Sequence, residues 1–248
     1  MNLQEKSEKY WGNTVDPNRR KQSYFDTYFK DENLKKSLDF RASKILNQDP
    51  NINSILDIGC GYGAFLYNFN NINSNTKLAG IDISKEAIEF CKKTIPTAKF
   101  INDKFSNITR HIKENSYDVV YTSGVIIHQA PDTVDNLIND LIKIGKKYII
   151  HFEDIGNNEL ISGEKDHNPQ WRESKQFLWR NNLVKVYQDK GYSFYYGNDV
   201  PKDLQRIGFT NYIIVDLQNS SNYIQSSSDR NSILDTKEKV MNSINESI

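Results

Sequence analysis

The 248-residue chain is short of several things. It has two cysteines, Cys60 and Cys91, with no CxxC spacing, which excludes a disulfide framework and a thiolate metal knuckle. No apolar stretch approaches the roughly 20 residues needed to cross a bilayer, and Met1 to Tyr10 is charged, without the apolar centre of a secretory leader. There is no charge excess either: Lys and Arg number 32 and Asp and Glu number 32. A protein that neutralises many phosphates carries a surplus of Lys and Arg, so nucleic acid is a poor candidate partner. Only 37% of the residues are hydrophobic, so loops and surface are strongly polar. The expectation is a cytoplasmic protein with reduced thiols and no membrane span.

What is present is an alternation of short apolar runs and helical patterns. Leu34, Leu38, Ala42 and Ile45 recur at helical spacing, predicting a helix over Asn33–Leu46 that Pro50 stops. Strands are predicted at Ser54–Ile58, Lys77–Ile83, Lys99–Asp103, Tyr117–Tyr121 and Lys147–Phe152. Helices are predicted at Ala64–Phe69, after a Ser84 cap as far as Lys93, and at Thr133–Ile144. This rhythm predicts right-handed βαβ units and an α/β fold with a doubly wound, mostly parallel sheet. Beyond Asp154 the rhythm changes. Residues 156–198, rich in aromatics such as Trp171, Trp179, Tyr187 and Tyr195, read as an insertion over the sheet. A short helix (Pro201–Ile207) and a strand (Phe209–Leu217) follow, so the domain is expected to end at 218, ahead of a loose polar tail over 219–248.

Gly59, Gly61 and Gly63 follow the first strand and open a helix, where bare backbone and unpaired N–H groups let a ligand approach. The loop lacks the GxGxxG spacing of a dehydrogenase. Asp57 just before it would repel a pyrophosphate and welcome an ammonium group, and Asp82, ending the next strand, suits two ribose hydroxyls. The pocket asks for a nucleoside with a cationic tail.

At these residues the chain resembles the class I S-adenosylmethionine-dependent methyltransferases. ILDIGCGYGAFL (Ile55–Leu66), GIDIS (Gly80–Ser84), INDKF and SYDVVYTSGVIIHQAPD (Ser116–Asp132) are similar to successive motifs of that family. The resemblance implies a Rossmann-like fold and S-adenosyl-L-methionine as cofactor, leaving S-adenosyl-L-homocysteine. It implies Asp57, Gly59 and Gly61 at the methionine end, Asp82 on the ribose and Ile83 against adenine. Asp103 would accept from the adenine amine, the Lys104 backbone N–H would donate, and Ser123 would lie under the methionine. Asp103 read alone could equally cap a turn. Arg41 either pairs with the methionine carboxylate or forms a helix or surface salt bridge.

Methyl transfer to a hydroxyl needs a base, whereas an amine acceptor needs only to be neutral. His128, in the loop after the fourth strand, is the candidate base, with a wall of the cofactor pocket as its alternative role. His151, Glu153 and Asp154 leave the fifth strand together; alternation lets His151 and Glu153 share a side, and such a cluster could orient a hydroxyl or bind a divalent cation, while Asp154 could contact substrate or cap a helix or turn. A metal held by His128, His151 and Asp154 has no diagnostic spacing, so none is assigned, and His167 reads as solvent-facing. The segment containing Tyr10, Trp11, Arg19 and Arg20 is expected to fold over the cofactor as a lid. Arg172, Arg180 and Lys185, interleaved with aromatics, suit a sugar or phosphate. WGN (Trp11–Asn13) and FLWRNNLVKVY also resemble the methylase associated with pseudaminic acid biosynthesis, which implies a surface-carbohydrate acceptor. The expected function is O-methylation of a small molecule, a carbohydrate or nucleotide-linked sugar; the alternatives are N-methylation of an amine and methylation of RNA.

Overall fold

The structure is a computed structural model, described for residues 3–13, 32–160, 178–205, 210–218 and 224–226. Its central sheet uses the apolar runs as β1 (Ser54–Ile58), β2 (Lys77–Asp82), β3 (Lys99–Asn102), β4 (Tyr117–Ser123) and β5 (Gly145–Glu153). To these it adds β8 (Ser193–Gly197), β9 (Asn211–Asp216) and β10 (Ile224–Ser226), in the order β10-β8-β9-β5-β4-β1-β2-β3. Among these strands β9 alone runs against the others. A separate two-stranded ribbon joins β6 (Glu159–Leu160) to β7 (Trp179–Arg180).

Both faces of the sheet are covered, which is why all five residues of β1 are buried. Ile55, Val119, Ile150 and Ile214 pack under α2 (Glu32–Leu46), α3 (Ala64–Ile72) and α4 (Lys85–Thr94). Their neighbours Leu56, Val120, Ile149 and Ile213 pack under α5 (Pro131–Ile144) and α6 (Leu183–Asp189). The caps follow local chemistry. Ser84 Oγ accepts the Ala87 N–H at the start of α4, and Pro131 opens α5, where its missing N–H costs nothing.

Three expectations change. The stretch 156–198 is not an insertion throughout, because α6 and β8 are integral to the sheet layers, with Tyr187, Leu183 and Phe194 in the core. The tail is not wholly detached from the fold, because Ile224–Ser226 pairs with β8. The predicted short helix is a 3₁₀ turn at Lys202–Leu204. The rest of the expected tail, residues 219–223 and 227–248, lies outside the described residues. No helix among the described residues is long and apolar enough to cross a membrane.

Gly197 faces Tyr212 across the β8–β9 pair, where an added Cβ would lie 2.0 Å from the ring. That ring is wedged against Phe152 and Tyr195 and its hydroxyl donates to Asp199, so it has no room to retreat. Gly197→Ala is expected to lower unfolding free energy by about 1–3 kcal/mol in urea titrations, the usual cost of overpacking.

Candidate functional site

Strand order reverses between β1 and β4: the chain proceeds outward through β2 and β3, then returns to place β4 on the other side of β1. The loops leaving the carboxyl ends of β1 and β4 diverge there and form a crevice, the usual ligand site of such sheets. The two loops touch. Gly59 has φ +68°, and a Cβ there would lie 2.5 Å from Val125 Cγ2, so this position needs glycine for both conformation and space.

Asp82 braces the glycine loop. Its Oδ2 accepts the Gly61 N–H at 2.8 Å and its Oδ1 the Ser84 N–H at 2.8 Å. A carboxylate oxygen can accept two hydrogen bonds, so bracing does not by itself preclude hydroxyl binding. Asp57 lies buried on β1, between Gly80 of β2 and Tyr121 of β4. Burial, and then the Asp82 charge, push its carboxyl well above the usual carboxylate range, and Arg41 acts in the opposite sense. Arg41 is itself buried in α2 and donates to Ser37 Oγ at 3.1 Å. The surface salt-bridge role for Arg41 is therefore replaced by an interior position facing the Asp57 end of the crevice.

Asp103 behaves as a turn cap. Its Oδ1 accepts from the Lys104 N–H and from Asn107 Nδ2, and its Oδ2 lies 2.7 Å from His111 Nε2. Burial alone would raise its pKa, but His111, Asn107 and the Lys104 N–H together lower it. The Lys104 N–H is thus directed at Asp103, while Lys104 Nζ pairs with Glu8 at 3.1 Å. Sequence reading overlooked His111, eight positions beyond Asp103 with only a short 3₁₀ turn between.

The helix carrying Glu8 is α1 (Leu3–Asn13), and it packs on the segments that follow β2, β3 and β4. One stripe, spaced three and four apart, makes the contacts. Gln4 bonds to the Gln129 side chain and accepts the Ala130 N–H, and Ser7 donates to the His128 carbonyl. The Trp11 ring lies 4.5 Å from the His128 ring, and a Cβ on Gly12 would stand 3.5 Å from Ile83. Arg19, Arg20, Arg172 and His167 lie outside the described residues.

Ser123 ends β4, half-buried beside the crevice, and His128 closes a 3₁₀ turn, Ile126–His128. That turn is held from beneath by Glu153, whose carboxylate accepts the N–H groups of Val125, Ile126 and Ile127 at 3.0–3.4 Å and the Thr122 hydroxyl at 2.9 Å. Burial pushes the Glu153 carboxyl up to about 7 against the lowering effect of these donors. Asn181 grips the other side, its Nδ2 donating to the carbonyls of Ile126 and Gln129. Neither role is legible in the sequence, since each partner is distant along the chain.

His151 is not brought to the crevice. It is fully buried inside the sheet layer, bonded to Thr122 through Nδ1 and to Tyr187 through Nε2, and burial drops its pKa to about 3. A neutral imidazole with both nitrogens engaged cannot serve as a catalytic base, so His151 is structural. Asp154 is buried and accepts the Thr210 hydroxyl, which gives it an anchoring role. Among the described residues no group of three His, Cys, Asp or Glu side chains is placed to hold a metal.

Comparison with known proteins bears on this crevice. Residues 51–197 match the family described as "Methyltransferase domain". The tRNA N(3)-methylcytidine methyltransferase trm140 of Schizosaccharomyces pombe is 30% identical over 152 residues, 58% of this chain and 49% of that protein. Malonyl-[acyl-carrier protein] O-methyltransferase 2 of Ilyobacter polytropus is 28% identical over 142 residues, 55% of this chain and 54% of that protein. The chain thus spans about half the length of these curated relatives. The crystal structure of magnesium protoporphyrin IX methyltransferase from Synechocystis PCC 6803 with bound SAM superposes with a TM-score of 0.59 at 16% identity, covering 87% of this chain and 97% of that one.

Replacing Asp82 tests the bracing directly. Asp82→Asn keeps one acceptor and loses the charge, so it is expected to cost about 1–3 kcal/mol of stability and to speed amide exchange at Gly61 and Ser84. Unchanged exchange at both amides would contradict the assignment.

Proposed function

Because this chain belongs to the methyltransferase domain family, its matched segment covering more than half of it, we propose that it transfers a methyl group from S-adenosylmethionine to an oxygen of a small-molecule acceptor. One observation carries this reading: the glycine loop with Asp57 and Asp82 meets the His128 turn where strand order reverses. The residues fit the donor. Asp82 offers acceptor directions to the ribose hydroxyls, Ile83 a surface for adenine, and Asp57 a carboxylate for the cationic end. Arg41 offers a guanidinium for the carboxylate. The bound donor supplies an electrophilic methyl carbon on a positively charged sulfur.

The protein's contribution is to orient the acceptor and to exclude water. Helix α1 roofs the crevice with Trp11 and Gly12. His128, in the turn after β4, takes the proton of the acceptor hydroxyl as the new bond to carbon forms. We assign the acceptor to the carbohydrates or nucleotide-linked sugars, a reading supported by the motif resemblance of the WGN and FLWRNNLVKVY segments. A tRNA acceptor is the second reading, favoured by the yeast relative, while the balance of 32 basic and 32 acidic residues weighs against it. We assign a cytoplasmic location, a reading supported by the low cysteine content, two in 248 residues.

Incubation with isotopically labelled donor and panels of nucleotide sugars, amines and tRNA tests the class, with label expected on a sugar hydroxyl. Label on tRNA alone would overturn the small-molecule reading. His128→Ala is expected to lower kcat by about 10²–10⁴-fold with donor affinity nearly unchanged; a loss of less than about tenfold would point to an amine acceptor. Asp57 adds a pH signature. Where the empty crevice keeps Asp57 protonated, binding a cation favours its ionised form, so a proton leaves on binding. Donor affinity is then expected to rise with pH until Asp57 is ionised in the free protein. Calorimetry in two buffers of different ionisation enthalpy reads that proton, and Asp57→Asn should abolish it.

A further inference from the structure

Glu153 is a buried acid that the transfer reaction, as described so far, does not use. Its neighbours form a line of hydrogen bonds whose direction can be deduced. Thr122 Oγ1 lies 2.9 Å from Glu153 Oε1 and 2.7 Å from His151 Nδ1, and a hydroxyl has one proton to give. A carboxylate only accepts, so the Thr122 proton goes to Glu153. His151 must then carry its proton on Nδ1 and donate to Thr122. That leaves Nε2 as acceptor for the Tyr187 hydroxyl, 2.7 Å away. The line runs one way, from Tyr187 of α6 through His151 of β5 and Thr122 of β4 into the carboxylate. Beyond it stand the N–H groups of Val125, Ile126 and Ile127, all aimed at the same two oxygens.

We propose that Glu153 is a positioning residue: its ionised carboxylate, at the receiving end of this donor line, fixes the 125–128 turn and with it the place of the His128 ring. This rests on the reading of His128 as the base. Five donor contacts converge on two oxygens, so a neutral acid at this position would turn one acceptor into a donor facing N–H groups. The groups that face the carboxylate are Thr122 from β4 and the turn's own backbone, with Asn211 of β9 opposite Glu153 in the sheet register. His151 and Tyr187 act on it through Thr122. Burial keeps His151 neutral and Tyr187 protonated, so the donor line persists across the working pH range. Burial also brings the titration of Glu153 to about 7, so the hold on the turn strengthens as pH rises through neutrality.

Amide hydrogen exchange on the full chain, expressed as protection factors, tests this. In the wild-type protein, Val125, Ile126 and Ile127 are expected to lose about tenfold or more of their protection between pH 8 and pH 6, while mid-strand amides of β4 do not. In Glu153→Gln the loss is expected at both pH values. Turn amides as well protected in Glu153→Gln as in the wild type at pH 8 would overturn the proposal, and the tautomer readout that follows needs no variant to fold. Nitrogen-15 spectra of His151 should show the Nδ1–H tautomer; the Nε2–H form would overturn the donor line. In turnover, Glu153→Gln is expected to lower kcat at least tenfold with donor KM within about threefold and to flatten the pH profile near 7. An unchanged kcat in an active variant would overturn the positioning role. Exchange and tautomer readouts need neither donor nor acceptor, so they can fail independently of the methyl-transfer reading.

Discussion

Two turns meet where the order of the strands reverses, and each leaves backbone N–H groups that its own segment cannot satisfy. The structure meets both needs with carboxylates supplied by a neighbouring strand. Asp82, at the end of β2, accepts from the glycine loop that follows β1, and Glu153, at the end of β5, accepts from the turn that follows β4. An unpaired N–H in such a place is costly. The same carboxylates therefore fix the shape of the crevice, and Asp82 adds to its negative character. A cationic ligand enters a site already built for it.

The two carboxylates differ in what they leave over. Asp82 is half-buried and braces the glycine loop and the start of the next helix, one oxygen to each. Glu153 is enclosed and saturated with donors, so it serves the turn alone. Asp57 is a third case, buried beside Asp82 with Arg41 as counterweight, and holds its proton more tightly than an exposed acid. These environments give three acids of similar intrinsic chemistry different burial, different partners and different proton affinities. Helix α1 completes the arrangement by tying Gln4, Ser7 and Trp11 to the same turn that Glu153 and Asn181 hold from below.

The parts legible in the sequence are those encoded locally. Asp57, Gly59 and Gly61 form one contiguous loop, Ser84 caps the helix after Asp82, and alternating apolar runs announce β1 to β5. Strand alternation also put His151 and Glu153 on one side, correctly. Alternation cannot tell depth, and because both faces of this sheet are covered, the side chosen for His151 was interior. Similarly, the aromatic run at Ser193–Gly197 suggested a cap, yet its rings pack within the sheet layers, a choice made by tertiary partners. The hold that Asn181 and Glu153 have on the turn carried no signal because the backbone groups they bind are 26 or more residues away.

A crystal structure of the full chain grown with S-adenosylhomocysteine measures the central claim most directly. The ribose hydroxyls are expected on Asp82, the amino-acid end between Asp57 and Arg41, and the sulfur facing the His128 turn. Density for that molecule away from the β1–β4 crevice, or a ribose that makes no contact with Asp82, would contradict it.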